Sequence, residues 1–104
     1  MSINIHRMRG SQISAARGFL GLSRENLARK VGVTAETIKN IERGIHSMSD
    51  KTKPLLQQFF SDEGVAFFEL PGGGMGVILD RTRSKDALAV QNKALSPSFM
   101  KRGD

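Results

Sequence analysis

The chain contains no cysteine among its 104 residues. A disulfide framework and a thiolate metal site are therefore both excluded. Because cysteine-free chains fit the reducing cytosol, we expect a cytoplasmic location. No apolar run approaches the ~20 residues that a membrane-spanning helix needs, and no signal-peptide hydrophobic region follows the basic start. The sequence therefore predicts that no segment spans or crosses a membrane.

Residue types that commonly carry catalysis are also scarce. The only two histidines are His6 and His46, and no metal-ligand spacing occurs. The run PGGGMG (71–76) resembles a nucleotide-binding loop only in its glycines. It lacks the lysine and the hydroxyl of G-x-x-x-x-G-K-[ST], so a turn is the better interpretation. We therefore predict a non-enzyme with no catalytic residues, no metal and no cofactor.

Acidic residues are fewer than basic ones. Ten Asp and Glu stand against sixteen Lys and Arg, which gives a net charge of +6 and a pI near 10.3. Residues 1–50 carry eight basic and four acidic side chains, so the excess is concentrated in the first half. A basic balance favours polyanions as partners, with nucleic acid first and an anionic membrane surface second.

Apolar residues with helical spacing predict four amphipathic helices in the first two thirds of the chain. A residue suited to an N-cap precedes the second, third and fourth helices, and a glycine follows each helix. The predicted caps are Ser23, Thr34 and Thr52, and the predicted stops are Gly21, Gly32, Gly44 and Gly64. Pro54 falls in the first turn of the fourth helix, where its missing N–H costs nothing.

The character of the sequence changes after Gly64. Two short apolar runs, VAFFEL (65–70) and GVIL (76–79), flank a glycine-rich turn and predict a β-hairpin over 64–80. Residues 1–10 form a basic arm in this interpretation, and residues 81–104 form a polar, flexible tail. The helices occupy the remaining segment, 11–63.

The second and third helices, joined across Gly32, match a helix-turn-helix, whose second helix enters the DNA major groove. Ala28 is small where two helices must approach closely, and Ile38 and Ile41 anchor the third helix. Its outward residues are Ala35, Glu36, Lys39, Asn40 and Arg43. From periodicity alone, an ordinary helical hairpin with a solvated polar face remains the alternative.

Specific motifs decide between these two interpretations. They are the A-R pair of helix 1, L-S-x-x-x-L-A at the start of helix 2, V-G-V-T at the turn, and T-I-x-x-I-E-R-G at the end of helix 3. The chain thereby resembles the XRE-type helix-turn-helix family of phage repressors and Cro. The resemblance implies a mainly α, five-helix lambda-repressor-like DNA-binding domain over 11–63, here with a C-terminal β-hairpin. It also implies a transcriptional regulator that binds double-stranded DNA.

The resemblance assigns roles to individual residues, with helix 3 (34–43) as the recognition helix. Residues facing the bases would be Ala35, Glu36 and Asn40, with Thr37 and Lys39 near the groove wall. Phosphate contacts would come from Arg24, Thr34, Arg43 and His46, although a lone loop histidine is more often simply solvated. Arg17 and Glu42 match a pair that in the family bonds helix 1 to helix 3, and we expect it to be structural.

The resemblance also bears on assembly, because a two-fold dimer reads two half-sites about 34 Å apart. An isolated two-stranded hairpin is marginal in water and leaves free edges. We therefore expect the hairpin to pair two protomers into a homodimer on an inverted repeat. The predicted contacts are Phe67, Phe68, Val77, Ile78 and Leu79. The alternative is a hairpin folded back on its own domain, since apolar residues occupy both alternation phases.

Two other functions remain open at this point. The fold could serve chiefly to hold a partner protein, as in an antitoxin-like or antiactivator module. A large apolar surface around Phe67 and Phe68 with weak, sequence-blind DNA binding would favour it. The protein could instead be an architectural DNA binder, which equal affinity for unrelated sequences would favour.

Overall fold

The computed structural model of the protein describes residues 8–94. Four helices come first, followed by an antiparallel hairpin, a 3-10 turn and a fifth helix. Their bounds are α1 (Gly10–Leu20), α2 (Arg24–Val31), α3 (Ala35–Glu42), α4 (Thr52–Asp62), β1 (Val65–Glu69), β2 (Met75–Leu79), the 3-10 turn (Arg81–Arg83) and α5 (Lys85–Ala94). The predicted class, mainly helical with five helices and a hairpin, is confirmed. The order differs in that α5 follows the hairpin.

Side-chain caps set the starts of the helices around the turn. Ser23 accepts a hydrogen bond from the Asn26 N–H (3.0 Å), which begins α2. Gly32 ends α2 with φ of 83°, a left-handed conformation that a residue with a Cβ adopts only with strain. The chain can therefore turn within three residues and begin α3.

The start of α4 differs from the prediction that Thr52 is its N-cap. Thr52 lies inside the first turn and is buried. The hydroxyl of Ser49 accepts the hydrogen bond from the Thr52 N–H (3.0 Å), and the Ser49 carbonyl accepts from the Lys53 N–H (3.0 Å). Ser49 and Thr52 each carry a hydroxyl that can cap a helix. Because Thr52 is buried inside the first turn, Ser49 is the residue that caps α4.

Helices and hairpin share one hydrophobic core. Phe60 of α4 is fully buried, and its ring meets Phe59 and Phe67 edge to face, with 5.3 Å between centroids in each pair. Burial of one such ring stabilises a fold by about 1.5–3 kcal/mol. The buried apolar residues are Met8, Ile13, Ala16, Leu27, Ala28, Val31, Ile38, Ile41, Leu56, Phe60, Val65 and Phe67. The hairpin therefore completes the core of the helical domain.

The hairpin presents two different faces because successive strand residues alternate in direction. The pairs Val65–Leu79 and Phe67–Val77 face the core, and the pairs Ala66–Ile78 and Phe68–Gly76 face away. Phe67 is only 6% exposed, whereas Ile78 is 54% exposed. Three of the five predicted dimer contacts, Phe67, Val77 and Leu79, thus pack against the core of their own chain. Only Phe68 and Ile78 lie on the outer face.

A buried glutamine attaches the hairpin to α1. The Gln12 Nε2 atom donates to the carbonyl oxygens of Phe68 (2.9 Å) and Gly76 (3.0 Å), one on each strand. Its Oε1 atom accepts from the Arg9 N–H (2.8 Å). Gln12 is 3% exposed, and a buried amide without these partners would be costly. The hairpin is therefore fixed to α1 through its backbone, in addition to its apolar inner face.

Both ends of the described chain differ from the predicted arm and tail. Residues 1–7 of the predicted arm lie outside the described residues, but Met8 is buried in the core. At the start of the predicted tail, Asp80 caps the 3-10 turn from the preceding residue, and within the tail the Ser84 hydroxyl accepts from the Ala87 N–H (3.1 Å) at the start of α5. Because the whole segment is polar, its composition alone does not predict these caps. Residues 95–104 lie outside the described residues.

Two glycines of α1 give a matched stability test. A Cβ built on Gly10 would overlap the carbonyl oxygen of Ile41, whereas one on Gly18 would meet no atom within 4 Å. We expect Gly18→Ala to raise the free energy of unfolding by about 0.5–1 kcal/mol through helix propensity. Gly10→Ala should lower it by about 1–3 kcal/mol through overpacking. Urea denaturation of both variants measures this, and equal effects would contradict the close approach of α1 and α3.

Candidate nucleic-acid interface

Helix α3 is held by its apolar side and presents a polar side. Ile38 is completely buried and Ile41 is 5% exposed, and both lie in the core that α3 shares with α1 and α2. None of the residues predicted to face the bases is fully buried. Glu36 is exposed, Thr37, Lys39 and Asn40 are half-buried, and Ala35 packs partly against the core. Glu36, Asn40 and Arg43, at i, i+4 and i+7, lie along one side of the helix.

The N-terminus of α3 is ordered by two of the predicted contact residues. The Thr34 hydroxyl accepts from the Thr37 N–H (3.1 Å) and lies 2.9 Å from the Thr37 hydroxyl. Both threonines therefore contribute to the turn itself, whatever else they contact. A hydroxyl has two acceptor sites and one donor, so each retains capacity for a further hydrogen bond.

A buried carboxylate joins the first three helices. The Glu42 side chain is 2% exposed and bonds two arginines. Arg17 donates from Nε to Oε2 (2.8 Å) and from Nη2 to Oε1 (3.1 Å), and Arg24 donates from Nε to Oε1 (3.0 Å). The Nη1 atom of Arg17 also donates to the Leu22 carbonyl (3.0 Å) in the loop between α1 and α2.

Sequence reasoning paired Arg17 with Glu42 but missed the bond between Glu42 and Arg24. It assigned Arg24 to phosphate alone. No local signal marks this contact, because Arg24 and Glu42 lie 18 residues apart and meet only through the packing of α2 on α3.

The network is ionised at neutral pH. Burial alone would raise the pKa of Glu42, but the hydrogen bonds from Arg17 and Arg24 outweigh it, so the pKa is lowered. The hydrogen bond to Glu42 likewise raises the pKa of Arg17. Two guanidinium ions around one carboxylate leave this cluster with one surplus positive charge.

A comparison with known families identifies the segment that carries this geometry. The family model described as Helix-turn-helix matches residues 13–52, which include most of α1, all of α2 and α3, and the first residue of α4. Residues 13–52 match the XRE-type helix-turn-helix. The predicted resemblance is thereby confirmed, and the match indicates a DNA-binding regulatory domain. No curated protein gives a significant match to the chain. The hairpin and α5 lie outside the matched segment.

Most of the predicted phosphate contacts cluster at one end of the XRE-type domain's α3. Arg24 bonds Glu42, the last residue of α3, and Arg43 follows Glu42 directly in the chain. His46 lies exposed in the next loop, where the Ile45 N–H bonds back to the Asn40 carbonyl (2.9 Å). Thr34 lies apart from them at the N-terminal end of α3. The surface therefore has positive charge at one end and a hydroxyl cap at the other.

Among residues 8–94, no group of three or more His, Asp or Glu side chains is placed to hold a metal ion. Within the same residues, no helix combines the length and apolar character needed to cross a membrane.

Proposed function

We propose that this protein is a cytoplasmic, sequence-specific transcriptional regulator that inserts α3 into the DNA major groove. It binds an inverted-repeat operator as a homodimer and is not an enzyme. The observation that carries this proposal is the polar side of α3, where Glu36, Asn40 and Arg43 lie together while Ile38 and Ile41 fix the helix. The net charge of +6 supports it by favouring the phosphate backbone.

Each residue of α3 has a role that its chemistry suits. The Asn40 amide can bond adenine bidentately, the Glu36 carboxylate can accept from cytosine N4, and the Ala35 methyl can contact that of thymine. Thr37 and Lys39 lie near the groove wall in this proposal. Contacts to phosphate, which fix the register of the domain without reading sequence, come from Arg24, Thr34, Arg43 and His46.

Loss of the base-reading groups gives the most direct test of this proposal. Selection of bound fragments from random DNA first defines the preferred site. On that site, Asn40→Ala and Glu36→Ala should each cost about 1–3 kcal/mol of binding and relax the preference at one base pair. Gln58→Ala is the control, because Gln58 carries a surface amide on α4 that bonds Asp62. If both α3 variants discriminate sites as sharply as the parent, α3 is not the reader.

Dimerisation is supported by the outer face of the hairpin, formed by Ala66, Phe68, Gly76 and Ile78. A monomer would leave Ile78 54% exposed. Leu88 and Val90 of α5 add further exposed apolar surface, at 44% and 67%. In the described chain, each strand of the two-stranded sheet also has one unpaired edge. One recognition helix reads only a few base pairs, so pairing two copies adds the discrimination that a genome demands.

The same outer face favours a second candidate function, the holding of a partner protein by an antitoxin-like or antiactivator module. The fragment selection separates the candidates. Enrichment of an inverted repeat supports the regulator, and strong binding without enrichment supports an architectural DNA binder. Absence of DNA binding at micromolar protein would leave the interaction module.

A further inference from the structure

Arg17 and Arg24 use their guanidinium groups differently, although both bond Glu42. Arg17 donates from all three of its nitrogens, to Glu42 and to the Leu22 carbonyl. Arg24 bonds Glu42 through Nε, and no bond of its Nη atoms to the described residues accompanies it. Its side chain is also the more exposed, at 35% against 21%. Every nitrogen of Arg17 is therefore engaged within the protein, whereas both Nη groups of Arg24 retain donors for a further partner.

We propose that Glu42 is a positioning residue that holds the Arg24 guanidinium as a clamp for one phosphate of the DNA backbone. The inference rests on the proposed function and deepens it. A guanidinium carries five N–H donors in a rigid plane, so fixing Nε on Glu42 fixes the four Nη hydrogens as well. Two parallel N–H groups match two phosphate oxygens, which gives a bidentate contact.

The charge of the cluster favours an anion at this place. One carboxylate compensates one of the two guanidinium ions. The surplus positive charge is nearest the solvent at Arg24, the more exposed of the two arginines. A phosphate would complete the network to neutrality. Because Arg24 is already ordered in the free protein, phosphate binding costs less side-chain entropy than it would for a mobile arginine.

The clamp also links register to base reading. Glu42 is the last residue of α3, and Arg24 is the first of α2. A phosphate held by Arg24 is therefore fixed relative to the C-terminal end of α3. Backbone contacts of this kind set where a recognition helix lies along the groove.

Exchange of arginine for lysine tests positioning separately from charge. Lysine keeps the positive charge but cannot bond Glu42 and a phosphate through one rigid plane. Loss of one charge-assisted hydrogen bond corresponds to about tenfold in affinity. We expect Arg24→Lys to lose about as much as Arg24→Ala, on both specific and unrelated DNA. At Arg43, which is exposed and forms no ion pair within the described chain, lysine should preserve most of the affinity that alanine loses.

The side-chain N–H signals of the arginines in NMR spectra give a readout independent of affinity. On addition of DNA, the Nη signals of Arg24 should shift while its Nε–H signal stays in place, and the signals of Arg17 should not change. Movement of the Arg24 Nε–H signal to a solvent-exposed position would overturn the clamp. So would parent-like affinity of Arg24→Lys. If the parent binds no DNA at all, the proposed function fails and the clamp with it.

Discussion

Ile78→Asp is expected to give a folded monomer that still binds a half-site but loses its advantage on the full inverted repeat. Ile78 is 54% exposed on the outer face of the hairpin, so aspartate there enters no core. In a dimer it would place a charge in an apolar contact without a partner, which is costly. Two linked half-sites bind about 10²–10⁴-fold tighter than one, and that factor should disappear.

The measurement is sedimentation at micromolar concentration, combined with titration of full and half repeats. Phe19→Asp is the control, since Phe19 is an apolar residue of α1, outside the hairpin, with a similar exposure of 51%. It changes the net charge equally and should leave the dimer intact. Phe68→Asp should act in the same direction as Ile78→Asp. A parent protein that sediments as a monomer and occupies DNA as a single copy would refute the dimer.

The helix-turn-helix was predictable because its determinants are local. Apolar spacing within each helix, the caps Ser23 and Thr34, and Gly32 at the turn all act over fewer than five residues. Local signals also revealed that a hairpin follows Gly64. They could not show which strand face is buried, because both alternation phases of VAFFEL contain apolar residues. The inward direction of Phe67 follows from Phe60, seven residues earlier on another element.

The long-range polar contacts could not be predicted from the sequence. Gln12 looks like a solvated residue of α1, yet it bonds backbone carbonyls 56 and 64 residues away. The contact of Arg24 with Glu42 depends equally on how α2 packs on α3. Such bonds follow from tertiary packing, which supplies the partners that buried polar groups require. The residues that attach the hairpin and arrange the arginines are therefore those that pattern analysis misses.

Glu42→Ala is expected to lower the free energy of unfolding by about 3 kcal/mol, the lower end for the loss of one partner of a buried ion pair. The lower end applies because Arg17 and Arg24, at 21% and 35% exposure, can still reach water. Glu36→Ala is the control on the same helix, since its exposed carboxylate should matter by less than about 0.5 kcal/mol. Denaturant titration of both variants at neutral pH gives the comparison, and similar values for both would contradict the central role of Glu42.

The pH dependence of this stabilisation has a definite sign. The pKa of Glu42 is lower in the folded protein than its ordinary value of about 4.3, because the bonds from Arg17 and Arg24 outweigh the effect of burial. Ionised Glu42 therefore stabilises the fold fully above that ordinary pKa, and this stabilisation is lost as pH falls through the lowered folded value. The parent and Glu42→Gln, which cannot ionise, should differ by a constant amount from about pH 5 to 8 and converge in acid. A difference that persists unchanged in strong acid would show that shape, rather than the charge of Glu42, joins α1, α2 and α3.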